Sequence, residues 1–308
     1  MYNLTKNYSL KKHNSFGVEA LTDIFFEYED DDEVIDFFSS KIHKNRKMLI
    51  LGSGSNTLFS KNFDGIVIHP ASKGIVVTDE SNEWIKVTVE AGEIWDDFVK
   101  WAVENNYGGI ENLSLIPGTV GASAVQNIGA YGAEAKDVIA SVETLNIDTL
   151  KKEIFTNEKC NFKYRNSFFK KSKQNKYLIL RVCFQLSKNP VLNTSYGYLK
   201  TELEKQKTKD IATIRELIIG IRNSKLPDPK VLGNAGSFFK NPVINKIHSG
   251  KIKKTYPDII EYNIDNEYVK IPAGWLIEKA GWKGKITGKV GVHKGQALVI
   301  VNHGGAGG

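Results

Sequence analysis

Residues 115–132 constrain this chain more than any other stretch: Leu115-Ile-Pro117-Gly118-Thr-Val-Gly121-Ala122-Ser123-Ala-Val-Gln126-Asn127-Ile-Gly129-Ala130-Tyr131-Gly132. Four glycines, a proline and small side chains in one long loop cost conformational entropy, which a ligand or close packing must offset. Small side chains also let backbone amides come up to phosphate oxygens or a flat ring. The whole of Asn112–Gly132 is therefore read as a loop-rich ligand segment, and its neighbours as scaffold.

The scaffold is legible in periodicity. Val34, Ile35, Phe37, Phe38 and Ile42 fall at helical spacing between Asp30 and Lys44, and Met48–Leu51 reads as a buried strand. Strands are expected near Ile66–His69, Ile75–Thr78, Trp84–Glu90, Val138–Ile147, Tyr177–Leu186 and Ala297–Val301. Ile94–Asn105 carries Trp95, Phe98, Val99 and Ala102 on one helical face. Further helices are expected over Ile211–Asn223 and near Ala273–Ala280. Pro227 and Pro229 cannot continue a helix and mark a domain boundary. Strands and helices mix without a strict βαβ alternation, so the class is α+β.

At 308 residues there is room for two or three domains with a real core. No run of about 18 apolar residues occurs, so no membrane span is expected. The start Met1-Tyr-Asn-Leu-Thr-Lys lacks the apolar core of a secretion signal, which points to the cytoplasm. Cys160 and Cys183 have no zinc-ligand spacing, the histidines form no paired motif, and no metal is expected. Cys183, in an apolar run, is read as a small core residue. The net charge of +7 suits a lysine-rich solvated surface or an anionic small ligand such as a nucleotide. The basic clusters are short and match no nucleic-acid module.

Three further motifs carry chemistry. Gly52-Ser53-Gly54-Ser55-Asn56 follows a strand, but Thr57 stands where a third glycine belongs in a dinucleotide turn. The motif is either a plain tight turn or a nest of N–H groups for a pyrophosphate. Tyr164-Arg165 sets a guanidinium beside an aromatic, suited to a carboxylate or phosphate. Gly233-Asn-Ala-Gly236-Ser237-Phe238-Phe239-Lys240-Asn241-Pro242 places one hydroxyl among glycines, in a loop half buried by its two phenylalanines.

In this order the motifs resemble UDP-N-acetylenolpyruvoylglucosamine reductase, the flavoprotein family that makes UDP-N-acetylmuramate for peptidoglycan. The resemblance runs from Asn14-Ser-Phe16-Gly17 through the motifs above and Lys225–Asp228 to Ala273-Gly-Trp275, Val292-His293 and Gln296-Ala-Leu298. It implies an FAD-binding two-subdomain fold of the vanillyl-alcohol-oxidase type plus a smaller α+β substrate domain. Along the chain these would be 1–65, 66–225 and 226–308, the last bounded by the prolines. It also implies FAD, NADPH as hydride donor, UDP-N-acetylglucosamine enolpyruvate as substrate, and a monomer.

By that resemblance Gly52, Ser53, Gly54, Ser55 and Asn56 hold the pyrophosphate with Pro117, Gly118, Gly121, Ala122, Ser123, Asn127, Gly129, Ala130, Tyr131 and Gly132, which also flank the ring system. Arg222 would lie near the flavin. Thr194-Ser-Tyr196-Gly-Tyr198-Leu resembles the tyrosine loop of the family's first subtype, so Tyr164, Tyr196, Lys225, Asn241 and Gln296 are carried over to the substrate. Hydride would reach the vinyl C3, Arg165 would meet the charge developing at C2 and its carboxylate, and Ser237 would deliver a proton to C2. Members of the family continue into a final helix and strand that bring in a glutamate, whereas this sequence stops at Gly308. The expectation is a truncated chain of doubtful activity, and the alternative is a noncatalytic flavin- or nucleotide-sugar-binding remnant.

Overall fold

Alternation of apolar residues builds the first of two units, which comprises Met1–His13, Ala20–Ser53 and Asn62–Arg222. The computed structural model describes residues 2–171 and 176–308. The unit opens with β1 (Leu4–Ser9), β2 (Leu21–Tyr28), α1 (Asp31–Ser39), β3 (Lys47–Ile50) and β4 (Phe63–Pro70). They make a sheet of order β1-β2-β4-β3, with β2 and β3 both parallel to β4. Asp30 caps α1 by accepting from the amide of Glu33. The helix is shorter than its periodicity suggests, because Lys41 and Asn45 take left-handed backbone (φ 60° and 62°) and turn the chain.

The second sheet is antiparallel. Its elements are β5 (Ile75–Glu80), β6 (Trp84–Glu90), α2 (Trp95–Glu104), α3 (Val120–Gln126), β7 (Gly129–Ala130), β8 (Ala133–Glu134), β9 (Ile139–Asn146), β10 (Lys151–Thr156), α4 (Phe168–Lys171), β11 (Tyr177–Ser187), α5 (Gly197–Glu204) and α6 (Ile211–Lys225). The order is β10-β9-β11-β6-β5, while β7 and β8 pair only with each other. Period-two alternation gives the sheet two apolar faces. Ile85, Val87 and Val89 pack with Trp95, Phe98 and Val99 of α2 and Val120 and Ala124 of α3. On the other side Leu145, Ile147, Leu178 and Leu180 join Phe26, Phe37, Phe38, Ile66 and Ile68. Each fully buried Val, Leu, Ile or Phe among them contributes about 1.5–3 kcal/mol. The same alternation corrects the reading of Cys183, which is partly exposed between buried Val182 and Phe184; the wholly buried cysteine is Cys160.

α3 corrects the expectation of a loop throughout 112–132. Thr119 caps it through its hydroxyl, and Asn127 ends it in left-handed backbone at φ 47°. Glycine at 121 is needed for the close approach to β6, since a Cβ there would sit 2.8 Å from the Cβ of Ala91.

The second unit comprises Asn14–Glu19, Gly54–Lys61 and Asn223–Gly308. It contains β12 (Gly233–Ser237), β13 (Val243–Asn245), α7 (Lys246–Thr255), β14 (Tyr262–Asn263), β15 (Tyr268–Lys270), α8 (Ala273–Lys279), β16 (Ile286–Thr287), β17 (Val290–Val292) and β18 (Val299–Asn302). The sheets are β12-β18-β17-β16 and β13-β15-β14. The early Asn14–Gly17 motif belongs here: Ser15 Oγ donates to the carbonyl of Asn234 (2.6 Å), and Asn302 Nδ2 donates to that of Phe16 (2.9 Å). β4 runs through the 65/66 boundary read from the sequence. Among the described residues no helix is long and apolar enough to cross a membrane, and no group of three or more His, Cys, Asp or Glu could hold a metal ion.

Candidate active site

The turn after β3 is held from β4. Leu51 donates its amide to Ile68 (2.9 Å) and accepts at its carbonyl from His69 Nδ1 (2.7 Å), which fixes the proton on that ring nitrogen. At Gly52 a Cβ would meet Thr119 Oγ1 at 2.8 Å, so the backbone lies directly against the cap of α3. Ser53 Oγ is buried and has no hydrogen-bond partner among the described residues. An orphaned hydroxyl in a glycine turn fits the phosphate oxygens of a dinucleotide. Gly52 and Ser53 belong to the first unit, whereas Gly54, Ser55 and Asn56 belong to the second.

The glycine-rich segment divides into two halves. Gly118 accepts from the amide of Trp95 (3.1 Å), and Gly121 donates to Ala91 (2.9 Å). The amides of Ala122 and Ser123 are directed to Thr119, and Ser123 Oγ donates to Val120 (2.6 Å). In this half the small residues that follow Pro117 therefore serve close packing, and these amides already have protein partners. Asn127 is wholly buried and its side-chain amide is consumed: it donates to Glu134 Oε2 and Lys163 O, and accepts from Lys136 N.

The second half is a cage for cations. Arg165, itself in left-handed backbone (φ 51°), donates to the carbonyls of Asn127 (3.2 Å) and Gly129, with Glu134 Oε1 at 3.8 Å. Its guanidinium lies 5.2 Å from the ring centre of Tyr164. Ala130 ends β7, and Tyr131 and Gly132 form the connection to β8. The Tyr131 hydroxyl is hydrogen-bonded to Arg222, whose Nε donates to Leu115 O (3.2 Å). Burial pulls the Arg222 pKa down, with Tyr131 and Asp96 opposing, and burial raises that of Tyr131. Tyr196 meets Tyr131 edge-on, with ring centres 5.4 Å apart. The tyrosine loop is in fact partly helical, since Tyr196 is the cap of α5.

In the second unit Ser237 ends a strand, which corrects the expected loop. The β12–β18 register shifts between Asn234 and Ser237, because Gly236 (φ 66°) makes a bulge that only glycine adopts easily. Ser237 is left exposed, opposite Val299. Phe238 and Phe239 are 42% and 49% exposed and contact each other, so each ring keeps one open side. Asn241 Oδ1 accepts from the first amide of α8, at Ala273 (2.9 Å), which assigns that oxygen a capping role. Lys225 is exposed at the end of α6, and Gln296 is half-buried before β18.

Four positions emerge that sequence reasoning missed. Asp96 takes both terminal nitrogens of Arg215 (2.7 and 2.9 Å) and the amide of Leu115. Glu134 faces Arg165; His69 holds Leu51; Asn112 bridges two loops. Only Glu111-Asn112 left a signal, a polar pair between apolar Ile110 and Leu113.

Residues 22–149 match the FAD binding domain family, and 228–308 match the C-terminal domain of UDP-N-acetylenolpyruvoylglucosamine reductase. With the α+β sheets and the glycine turn described above, the class is that of FAD-dependent oxidoreductases with the vanillyl-alcohol-oxidase type of fold. The chain is 47% identical over 306 residues to UDP-N-acetylenolpyruvoylglucosamine reductase of Flavobacterium johnsoniae, covering 98% of this chain and 90% of that protein. Identity to the reductase of Bacteroides fragilis is 45% over 303 residues, covering 98% and 91%. This chain belongs to the UDP-N-acetylenolpyruvoylglucosamine reductase family. Its fold is also that of the crystal structure of the Thermus caldophilus reductase (TM-score 0.66, 22% identity, covering 99% of this chain and 90% of that one).

Proposed function

We propose that this chain reduces the enolpyruvyl ether of UDP-N-acetylglucosamine to UDP-N-acetylmuramate with NADPH, a step of peptidoglycan precursor synthesis. The observation that carries the reading is the 47% identity extending over 98% of the chain. FAD, held by the residues named below, would supply the hydride-transfer chemistry that links NADPH to C3 of the enolpyruvyl group. Ser53 Oγ, unpartnered and buried, is proposed to donate to the pyrophosphate beside Gly52 and Gly54–Asn56. Gly129–Gly132 and Arg222 are proposed to border the ring system.

Arg165 is proposed to stabilise the negative charge that develops at C2 and its carboxylate. Its anchoring to two carbonyls supports this, because a donor fixed in advance needs no reorganisation as charge appears. Ser237 is proposed to give its proton to C2. Serine is a weak acid, so the step requires a strongly basic carbon held at short range with water excluded. Tyr164, Tyr196, Lys225, Asn241 and Gln296 are proposed for the nucleotide sugar, with Asn241 using its amide nitrogen, since its oxygen caps α8. A cytoplasmic monomer without membrane or nucleic-acid partner completes the proposal.

The test is anaerobic: purify the protein with its yellow flavin, add NADPH, then add substrate. Bleaching followed by substrate-driven recovery is expected. Bleaching without recovery favours a noncatalytic flavin-binding protein, and absence of flavin rejects the reading altogether.

A further inference from the structure

Asn112, in the turn Glu111–Leu113, is 1% exposed and holds two loops at once. Its Nδ2 donates to the carbonyl of Tyr131 (2.8 Å) and to that of Asn193 (2.9 Å). An atom within hydrogen-bond distance of two carbonyls must be the nitrogen, so the amide has one possible orientation. Its Oδ1 is buried without a partner among the described residues. An unpaired buried acceptor is costly, and the side chain's contribution therefore lies in its two donors.

The two carbonyls belong to the glycine-rich loop and to the loop carrying Tyr196. Asn193 repeats the link from the other side: Nδ2 donates to Gly132 O (3.1 Å), while Oδ1 accepts from the amide and hydroxyl of Ser195 (3.1 and 2.7 Å). A Cβ on Gly132 would lie 2.5 Å from Ser195 Oγ, so the loops touch. A shift of the Tyr131–Gly132 backbone cannot leave 193–196 in place.

We propose that Asn112 is a positioning residue that transmits order from the glycine-rich loop to the tyrosine loop, so that FAD binding preorganises residues 193–198 for the nucleotide sugar. This rests on the reading of 117–132 as the flavin loop. Ordering the first loop removes part of the entropy cost of ordering the second.

Hydrogen exchange over 193–199 in FAD-loaded and flavin-depleted protein tests the coupling. In the parent, FAD is expected to slow exchange there about tenfold. In Asn112→Leu, which keeps the volume but loses both donors, that flavin-dependent difference is expected to vanish. KM for the sugar nucleotide should rise, with flavin reduction by NADPH changed less than about twofold. Asn193→Ala, at a half-buried position, should lose the difference as well, and it decides the matter if peptides of β11 show that Asn112→Leu is misfolded. Retained flavin-dependent protection in the folded variants overturns the proposal. So does a parent that binds FAD with no change at 193–199. A parent that binds no FAD rejects the flavin reading itself, and the coupling with it.

Discussion

Arg165 donates to the carbonyl of Gly129 from one terminal nitrogen and to that of Asn127 from the other. The cation is thus pinned to the glycine-rich loop it is proposed to serve, and the pinning needs a planar fork. Lysine keeps the charge but cannot span two carbonyls in fixed geometry. Arg165→Lys is expected to slow reoxidation of reduced flavin by substrate about 10²–10³-fold, the range for loss of a preorganised donor. Stopped-flow of the two half-reactions separates this from flavin reduction by NADPH, which should change less than about threefold.

Asp96 joins α2 to α6 through Arg215 and holds the amide of Leu115, a residue in left-handed backbone at φ 57°. Burial raises its pKa, but the bonds from Arg215 and Leu115 and the nearby charges of Arg215 and Arg222 outweigh it and hold the carboxyl below its ordinary value. A depressed carboxyl contributes stability above its unfolded pKa and loses it as pH falls toward the folded one. Asp96→Asn should destabilise by about 2 kcal/mol at pH 7, as for hydrogen bonds to charged groups. Urea unfolding at pH 7 and below pH ~4 checks both points, because the difference between parent and variant should shrink in acid.

His69 holds Leu51, which leads into the turn proposed to bind the flavin pyrophosphate. Removing its Nδ1 donor in His69→Ala should weaken FAD binding about tenfold, measured by fluorescence titration of flavin-depleted protein, as expected for loss of one hydrogen bond at a positioned loop. His69→Asn, which retains a donor, should recover part of the loss.

His13 packs against His69 with ring centres 4.8 Å apart, and its pKa is lowered to about 4, first by burial and then by His69 and Lys12. The unfolded chain takes up this proton near pH ~6.5, whereas the folded chain does so only about pH 4. Its contribution is therefore full above the unfolded pKa and is lost as pH falls through that window. Denaturation midpoints between pH 7 and 4.5 should fall less steeply in His13→Gln than in the parent.

What was legible in the sequence followed period and chemistry. Trp84–Glu90 and the buried face of α2 emerge as read, because alternation and helical spacing reflect burial on one side. α3 was hidden because Gly121, Ala122 and Ser123 resemble loop residues; the glycine at 121 is set by its contact with Ala91 at the end of β6, a partner distant in sequence. β1 and β2 escaped because the polar Lys6, Asn7 and Asp23 interrupt their runs. Arg165 was found from its neighbours, while Glu134, 31 residues earlier, could be linked to it only in space. Ser237 was read as a loop residue because a glycine bulge at a strand end has the composition of a turn.

Ser237 remains the most direct test of the account. In single turnover, Ser237→Ala protein is first reduced by NADPH and then mixed anaerobically with UDP-N-acetylglucosamine enolpyruvate. Loss of a general acid is expected to slow flavin reoxidation about 10²–10⁴-fold while reduction by NADPH proceeds at the parent's rate. Equal reoxidation in variant and parent would contradict the assignment of the proton to Ser237.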